Sequence, residues 1–230
     1  MNDVILGVTD APAARAREWA VRRAHARGAV LRELLIAPSR DDIDEAVRAT
    51  ADAEILVLPA EHGHPYRGII AGANCPVAVV PEEPAGDAER HGILVGVDAS
   101  EVSQRAVAFA ADEAIRTGEP LIALAAWEPV AVGTEPGLDL WTGPMPVDLT
   151  EATAAMLERT LEPVRAAHPD LSVRTKIDVG DASTLIEEAS RSAVLTVVGS
   201  HGRTGLSRLL LGSVSEHVAA HVSSPTVIVR

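Results

Sequence analysis

Short apolar runs ending at acids or glycines recur along the chain, and they alternate with stretches whose apolar positions follow helical spacing. GILVGVD (92–98) is an apolar run closed by an acid, the pattern of a buried strand. In SEVSQRAVAFAADEAIRTG (100–118), Ala106, Phe109, Ala110 and Glu113 fall at helical spacing and Gly118 supplies the stop. PLIALAAW (120–127) reads as a second strand. Residues 128–150 carry Pro129, Gly133, Pro136, Gly137, Gly143, Pro144 and Pro146, a density no helix sustains, and are expected to form a long loop. The pattern then predicts a helix near 150–167, a strand near 172–178 and a helix near 182–191. The strand VLTVVG (194–199), a helix from about 213 and a last strand PTVIVR (225–230) complete it. Strands alternating with helices imply right-handed crossovers and an α/β fold, an open, mainly parallel sheet with helices on both faces.

The first third of the chain reads as a shortened copy of this pattern. DVILGVTD (3–10) matches GILVGVDA, each placing an aspartate (Asp10, Asp98) just past an apolar strand. Trp19 to Ala26 belong to a helix stopped by Gly28. DIDEAVRATADAEILVLPAEHG (42–63) parallels STLIEEASRSAVLTVVGSHG (183–202): helix, strand, then a loop ending His-Gly. CPVAVVP (75–81) parallels SPTVIVR. The copy is expected to lack a strand and helix equivalent to residues 120–167. An internal duplication constrains architecture more firmly than any single element. Between the copies, the polar, Pro- and Gly-rich segment around 82–91 reads as a linker.

Composition narrows the function classes. At 230 residues the chain can bury a substantial core, and its apolar runs of strand length are far short of the ~20 residues a membrane helix needs. No membrane partner is expected. The opening MNDVILGVTDAP has neither a basic flank nor a cleavage pattern, so no signal peptide is expected. A single cysteine, Cys75, permits no internal disulfide, which fits a reduced cytoplasm. The net charge of −13 argues against a nucleic-acid partner, and the aromatics Trp19, Tyr66, Phe109, Trp127 and Trp141 are too scattered for a base-stacking platform. An anionic ligand would need local help from backbone dipoles or a few arginines.

The stretch VVGSHGRTGLSRLLLGSVSEHV (197–218) offers that help. Gly199 and Gly202 let the backbone approach a ligand closely. Ser213 and Glu216 fit a capping box, and a helix starting there would aim free N–H groups and its positive end at a phosphate. His201, Arg203 and Arg208 add donors or charge. In an open parallel sheet ligands sit beyond the carboxyl ends of the strands, where Asp98 and Gly199 both fall. The spacing is neither a GxxxxGK[ST] phosphate loop nor a dinucleotide GxGxxG. On these grounds alone the stretch fits either an anion cradle or a plain strand-to-helix connection.

Gly199-x-x-Gly202, nine residues, then Gly212-Ser213 resembles the nucleotide-binding signature of ATP-binding universal stress proteins, and ILVGVDAS and SPTVIVR are similar to that family's first and last strands. The resemblance covers 92–230 almost completely. Residues 1–81 look like a degenerate second copy. The chain therefore resembles a tandem universal stress protein: two Rossmann-like (adenine nucleotide alpha hydrolase-like) repeats, 1–81 and 92–230, joined by 82–91. The resemblance implies one adenine nucleotide, ATP alone or with Mg, held between strand ends of the second repeat. It assigns Asp98, with Gly96 and Val97 before it, to the adenosine, Ala125 to the adenine flank and Val198 to backbone contact with the base. Gly199, His201, Gly202 and Arg203 match the ribose–phosphate turn, and Gly212, Ser213 and Val214 the phosphate-binding helix start. Gly96 departs from the pattern, since many members carry proline there.

The first copy departs further. Pro59 stands where Gly199 would be and has no N–H to donate. His62 to Pro76 spans ten fewer positions than His201 to Pro225, and YRGIIAGAN lacks the G-x-x-G spacing. No ATP site is expected there. Its expected role is structural: family members pair through final strands, and a tandem chain can make that pairing internally, with Val77–Val80 against Thr226–Val229. A homodimer is a further expectation.

Other candidates have plainer readings. His62 and His64 lack a completing ligand, Cys75 is expected to be buried and inert, and Trp141 reads as a packing anchor. His217 and His221 lie four apart on the last helix and read as one helical face, since a two-His site without a third ligand is a weak one. No metal site and no catalytic set stands out. The function expected is that of an ATP-binding stress-response sensor or regulator acting with an unidentified regulatory protein. Two alternatives remain open at this point: an interaction module that binds no nucleotide, and a weak ATP hydrolase.

Overall fold

A computed structural model describes residues 3–9, 13–36, 39–60, 66–83, 89–131, 146–202 and 211–230. Expectations placed on Asp10, His62, His64, Trp141, Arg203 and Arg208, and on linker residues 84–88, fall outside them.

The first half runs β1 (Asp3–Val8), α1 (Ala14–Arg27), β2 (Leu31–Leu35), α2 (Arg40–Ala49), β3 (Ala53–Pro59), α3 (Arg67–Gly72) and β4 (Val77–Val80). The second begins with β5 (Ile93–Gly96), α4 (Glu101–Thr117) and β6 (Leu121–Trp127). A small antiparallel pair, β7 (Val130–Ala131) and β8 (Pro146–Val147), follows within the segment expected to be loop. Then come α5 (Thr150–Ala167), β9 (Val173–Val179), α6 (Ala182–Ser190), β10 (Leu195–Gly199), α7 (Ser213–Ala220) and β11 (Thr226–Val229).

Nine strands form one sheet in the order β2-β1-β3-β4-β11-β10-β5-β6-β9. Pairing is parallel within each half, and the halves meet antiparallel at β4 and β11, with Thr226 opposite Val79 and Ile228 opposite Val77. This is the edge-to-edge contact that the sequence suggested for Val77–Val80. Counted outward from it, β4, β3, β1, β2 and β11, β10, β5, β6 follow the same order. The expectation that the first half lacks a strand and helix matching 120–167 therefore needs correcting. β2 occupies the place of β6, and the elements without a counterpart are α5 and β9. β2 escapes a search for apolar runs because LRELL is an edge strand, half exposed, with Arg32 and Glu33 at its centre.

Side-chain alternation along the strands builds two cores. Val4, Val57, Ala78, Val95, Val197 and Val227 face α1, α4 and α5. Ile5, Leu56, Val77, Leu94, Val198 and Ile228 face α2, α3, α6 and α7. Each core crosses the β4–β11 seam, so the halves share both. A buried ion network reinforces the seam: Arg23 of α1 pairs with Glu113 of α4 and with Glu54 (Nε to Oε1, 3.0 Å). Arg116 reaches Glu113 at 2.7 Å, and the Arg23 guanidinium lies 5.2 Å from the Phe109 ring centre. Arg67 of α3 pairs with Glu216 of α7 at 3.1 Å on the other face. Cys75 is 4% exposed, and burial pushes its thiol up to about 12, which leaves it unreactive at neutral pH. No helix among the described residues is long and apolar enough to cross a membrane.

Candidate functional site

From β5 the chain winds one way to β6 and β9, then returns by α6 to lay β10 on the other side of β5. Connections from β5 and β10 thus diverge, and a crevice opens beyond their carboxyl ends, as open α/β sheets require. It measures about 330 Å³ and is bounded by β5, β6 and β10 and the first turns of α6 and α7.

One wall is the end of β5. Gly96, Val97 and Asp98 line the crevice, with Ser100 and Ser103 behind them. Ser100 caps α4, its hydroxyl accepting from the Ser103 N–H at 3.1 Å. Asp98 is tied into this cap: Oδ1 accepts from the Ser100 N–H (2.9 Å) and hydroxyl (2.6 Å), and the Asp98 N–H donates to Ser103 Oγ (3.0 Å). Oδ2 accepts from no described residue. The carboxylate is thereby fixed in orientation with one oxygen left to accept from a ligand.

The opposite wall comes from β10 and α7. Val198, Gly199, His201 and Gly202 line it, together with Gly212, Ser213 and Val214. The Ser200 carbonyl accepts from the Gly212 N–H and from Ser215 Oγ, both at 2.8 Å, which brings the two ends of the intervening loop together. Close approach constrains two glycines. A Cβ on Gly202 would stand 2.6 Å from Asp98 Oδ2, and one on Gly212 would stand 3.1 Å from the His201 Cα.

The start of α7 differs from the expected capping box. Gly212, not Ser213, is the cap residue, and no side chain caps the helix. The first helical bond runs from the Glu216 N–H to the Gly212 carbonyl at 2.8 Å, while the Glu216 carboxylate turns away to Arg67. The N–H groups of Ser213, Val214 and Ser215 therefore have no intrahelical acceptor and lie at the positive end of the helix, beside the crevice.

Ala125 does not line the crevice. Strand alternation turns it into the core under α4 and α5, and its neighbours Leu124 and Ala126 line the cavity instead. Sequence reading also passed over Ser100 and Ser103, although DASEVS carries a helix-cap signal, and Ala182 and Ile186 from α6. Asp181 caps α6, accepting from the Ser183 hydroxyl and from the Thr184 N–H (2.9 Å) and hydroxyl (2.8 Å). These bonds hold its carboxyl below the usual carboxylate range.

Chemically, the crevice offers one oriented carboxylate, a set of unpaired main-chain donors and an apolar floor. Ser200 Oγ and His201 Nδ1 lie 3.0 Å apart, but Ser200 is 2% exposed and presents no nucleophile to the cavity. These groups suit the binding of a polar, anionic ligand.

The corresponding place in the first half differs in its backbone. Pro59 sits opposite Val80 as Gly199 sits opposite Val229, so the register equates the two positions. As one on Gly96 would stand 2.7 Å from Ile186 Cδ1, a Cβ on Gly7 would stand 2.6 Å from the side chains of Ile36 and Leu58. Both are buried, as is Tyr66, and α3 has only six residues.

A family model described as the universal stress protein family matches residues 89–230. Over 197 residues the chain is 36% identical to universal stress protein Rv2005c of Mycobacterium tuberculosis, covering 80% of this chain and 64% of that protein. It is 36% identical over 159 residues to a universal stress protein of Mycolicibacterium smegmatis, covering 69% and 52% respectively. The matches thus span between about half and just under two thirds of those relatives' length. The crystal structure of a universal stress protein from Archaeoglobus fulgidus shares the fold, with a TM-score of 0.58 over 98% of this chain and 87% of that one at 17% identity. Taken with the crevice and its glycines, these matches establish that the chain belongs to the universal stress protein family.

Proposed function

We propose that the crevice at the ends of β5 and β10 binds one adenine nucleotide per chain, and that occupancy regulates a stress-response partner. The observation that carries this reading is the pairing of unlike chemistry in one cavity. Asp98 Oδ2 accepts from hydroxyl or amino donors of a nucleoside, and the N–H groups of Ser213 and Val214 donate to phosphate. ATP is the ligand of choice because the glycine spacing from 199 to 213 resembles that of ATP-binding relatives, with Mg as a companion of the phosphates. The chain's net charge of −13 makes such local donors necessary. Pro59, which lacks an N–H where Gly199 has one, and the six-residue α3 support a count of one.

The single buried cysteine and the acidic composition favour a cytoplasmic protein. β11 already has a partner on each side, so a homodimer would form through another surface than the last strand. The experiment is native mass spectrometry of the purified chain followed by calorimetric titration with ATP, AMP and cAMP. One equivalent bound with micromolar affinity supports the reading. Absence of bound nucleotide, with no affinity tighter than millimolar, overturns it in favour of an interaction module. Steady release of ADP above a buffer control, abolished in Asp98→Ala, would add hydrolysis.

A further inference from the structure

His217 and His221 stand one turn apart on α7, and the fold brings Glu187 of α6 against them. One ligand atom from each of the three side chains lies within 4.8 Å of the other two. Sequence alone shows the H-x-x-x-H pair but not its third member, which is 30 residues upstream and arrives only because α6 and α7 pack together.

The cluster is already ordered as a ligand set. His217 Nε2 and Glu187 Oε2 are 2.8 Å apart, and the two imidazole rings stack with centres 4.3 Å apart. His221 Nδ1 lies 2.9 Å from the His217 carbonyl, which can only accept. That bond places the His221 proton on Nδ1 and leaves the Nε2 lone pair available. It is the backbone support that metal-bound histidines generally use to fix their tautomer. Glu187 and His217 are partly buried and His221 is exposed, which leaves room for water to complete the coordination. Asp181, capping the same helix, adds negative charge near His217. Arg191, 3.2 Å from Glu187 Oε1, is the one described cation paired with the set, and it engages the oxygen that His217 does not.

We infer that Glu187, His217 and His221 form a binding site for a first-row divalent cation of the zinc type, with water as the remaining ligand. Two imidazoles and one carboxylate suit zinc, cobalt or nickel and disfavour magnesium or calcium, which take oxygen ligands. Tetrahedral ligands at about 2.0–2.2 Å from zinc sit roughly 3.3–3.5 Å apart, so modest side-chain rotations bring the three atoms to bonding distance. To bind the ion at Nε2, His217 must carry no proton there, so binding competes with its contact to Glu187 and weakens in acid. Its structural consequence is specific. Glu187 follows Ile186 in sequence and His217 is one turn beyond Ser213, so the ion would bridge the two helices that wall the crevice.

The test uses the full chain, stripped with chelator and free of nucleotide, so its outcome is independent of the ATP reading. Titration with Zn²⁺ by calorimetry and with Co²⁺ by visible absorption should give one site with a Kd in the micromolar range. Tetrahedral cobalt bands should be present. His221→Ala, an exposed position that should fold normally, should weaken binding about tenfold or more, and Glu187→Gln by a similar factor. His62→Ala/His64→Ala should leave it unchanged. Equal affinity in wild type and His221→Ala, or no binding tighter than about 100 µM, overturns the site.

Discussion

The Ser200 carbonyl accepts the Gly212 N–H at 2.8 Å, and this bond closes a loop whose two ends both line the crevice. The same carbonyl accepts Ser215 Oγ as a second donor, so Ser200 and the start of α7 are held together. Ser215→Ala removes that donor and the bond to the Gly212 carbonyl, with an expected loss of about 1 kcal/mol in stability. ATP affinity should fall several-fold because the α7 amides lose their fixed position. Urea denaturation and calorimetry on the same variant check both.

Gly202 tests the crevice itself. A methyl at this position would lie 2.6 Å from Asp98 Oδ2, and the carboxylate cannot swing away without breaking its bonds to Ser100. Gly202→Ala should therefore lower ATP affinity about tenfold or more, with a fall in melting temperature as the Asp98–Ser100 bonds or the turn give way. Asp98→Asn should lose affinity comparably. A Gly202→Ala protein that binds ATP as tightly as wild type would remove Asp98 from the site.

Glu113 makes the seam pH-dependent. Burial pushes its carboxyl up, but the hydrogen bond from Arg116 and the charges of Arg23 and Arg116 outweigh burial and hold it below the ordinary value of 4.5. A carboxylate depressed in the folded state contributes stability that is fully present above the ordinary range and lost as pH falls through the depressed value. Urea midpoints of wild type should thus fall between about pH 5 and 3 more steeply than those of Glu113→Gln. At pH 7 that variant, leaving Arg23 buried with less compensation, should cost about 3–5 kcal/mol.

How far the sequence carried the structure depends on which physical signal each feature leaves. α5 falls at Thr150–Ala167 and α4 stops at Gly118 with φ of 73°, both as read from periodicity and cap residues. β2 was missed because an edge strand buries little and keeps its charges. α3 was missed because RGIIAG is one short turn and a half carrying two glycines. Within the crevice, motif spacing located both strand ends but not the faces of β6, so Ala125 was chosen where Leu124 and Ala126 line the wall. The cap at Gly212 was misassigned to Ser213 because the capping-box pattern does not reveal that Glu216 is drawn off by Arg67. Glu187 beside His217 is tertiary, set by helix packing alone.

The first half yields the sharpest count. Leu58 is fully buried and holds the register position of Val198, a wall residue of the crevice. Leu58→Ala should cost about 2–5 kcal/mol through the cavity it leaves. It should not create a second nucleotide site, because Pro59 offers no N–H where Gly199 has one, and α3 is too short to present a comparable helix end. ATP stoichiometry by calorimetry should remain one per chain in Leu58→Ala, whereas Asp98→Ala should weaken affinity about tenfold or more, and urea midpoints should move chiefly in the former. A stoichiometry of two in Leu58→Ala would overturn the account in which missing backbone donors leave the first half without a site.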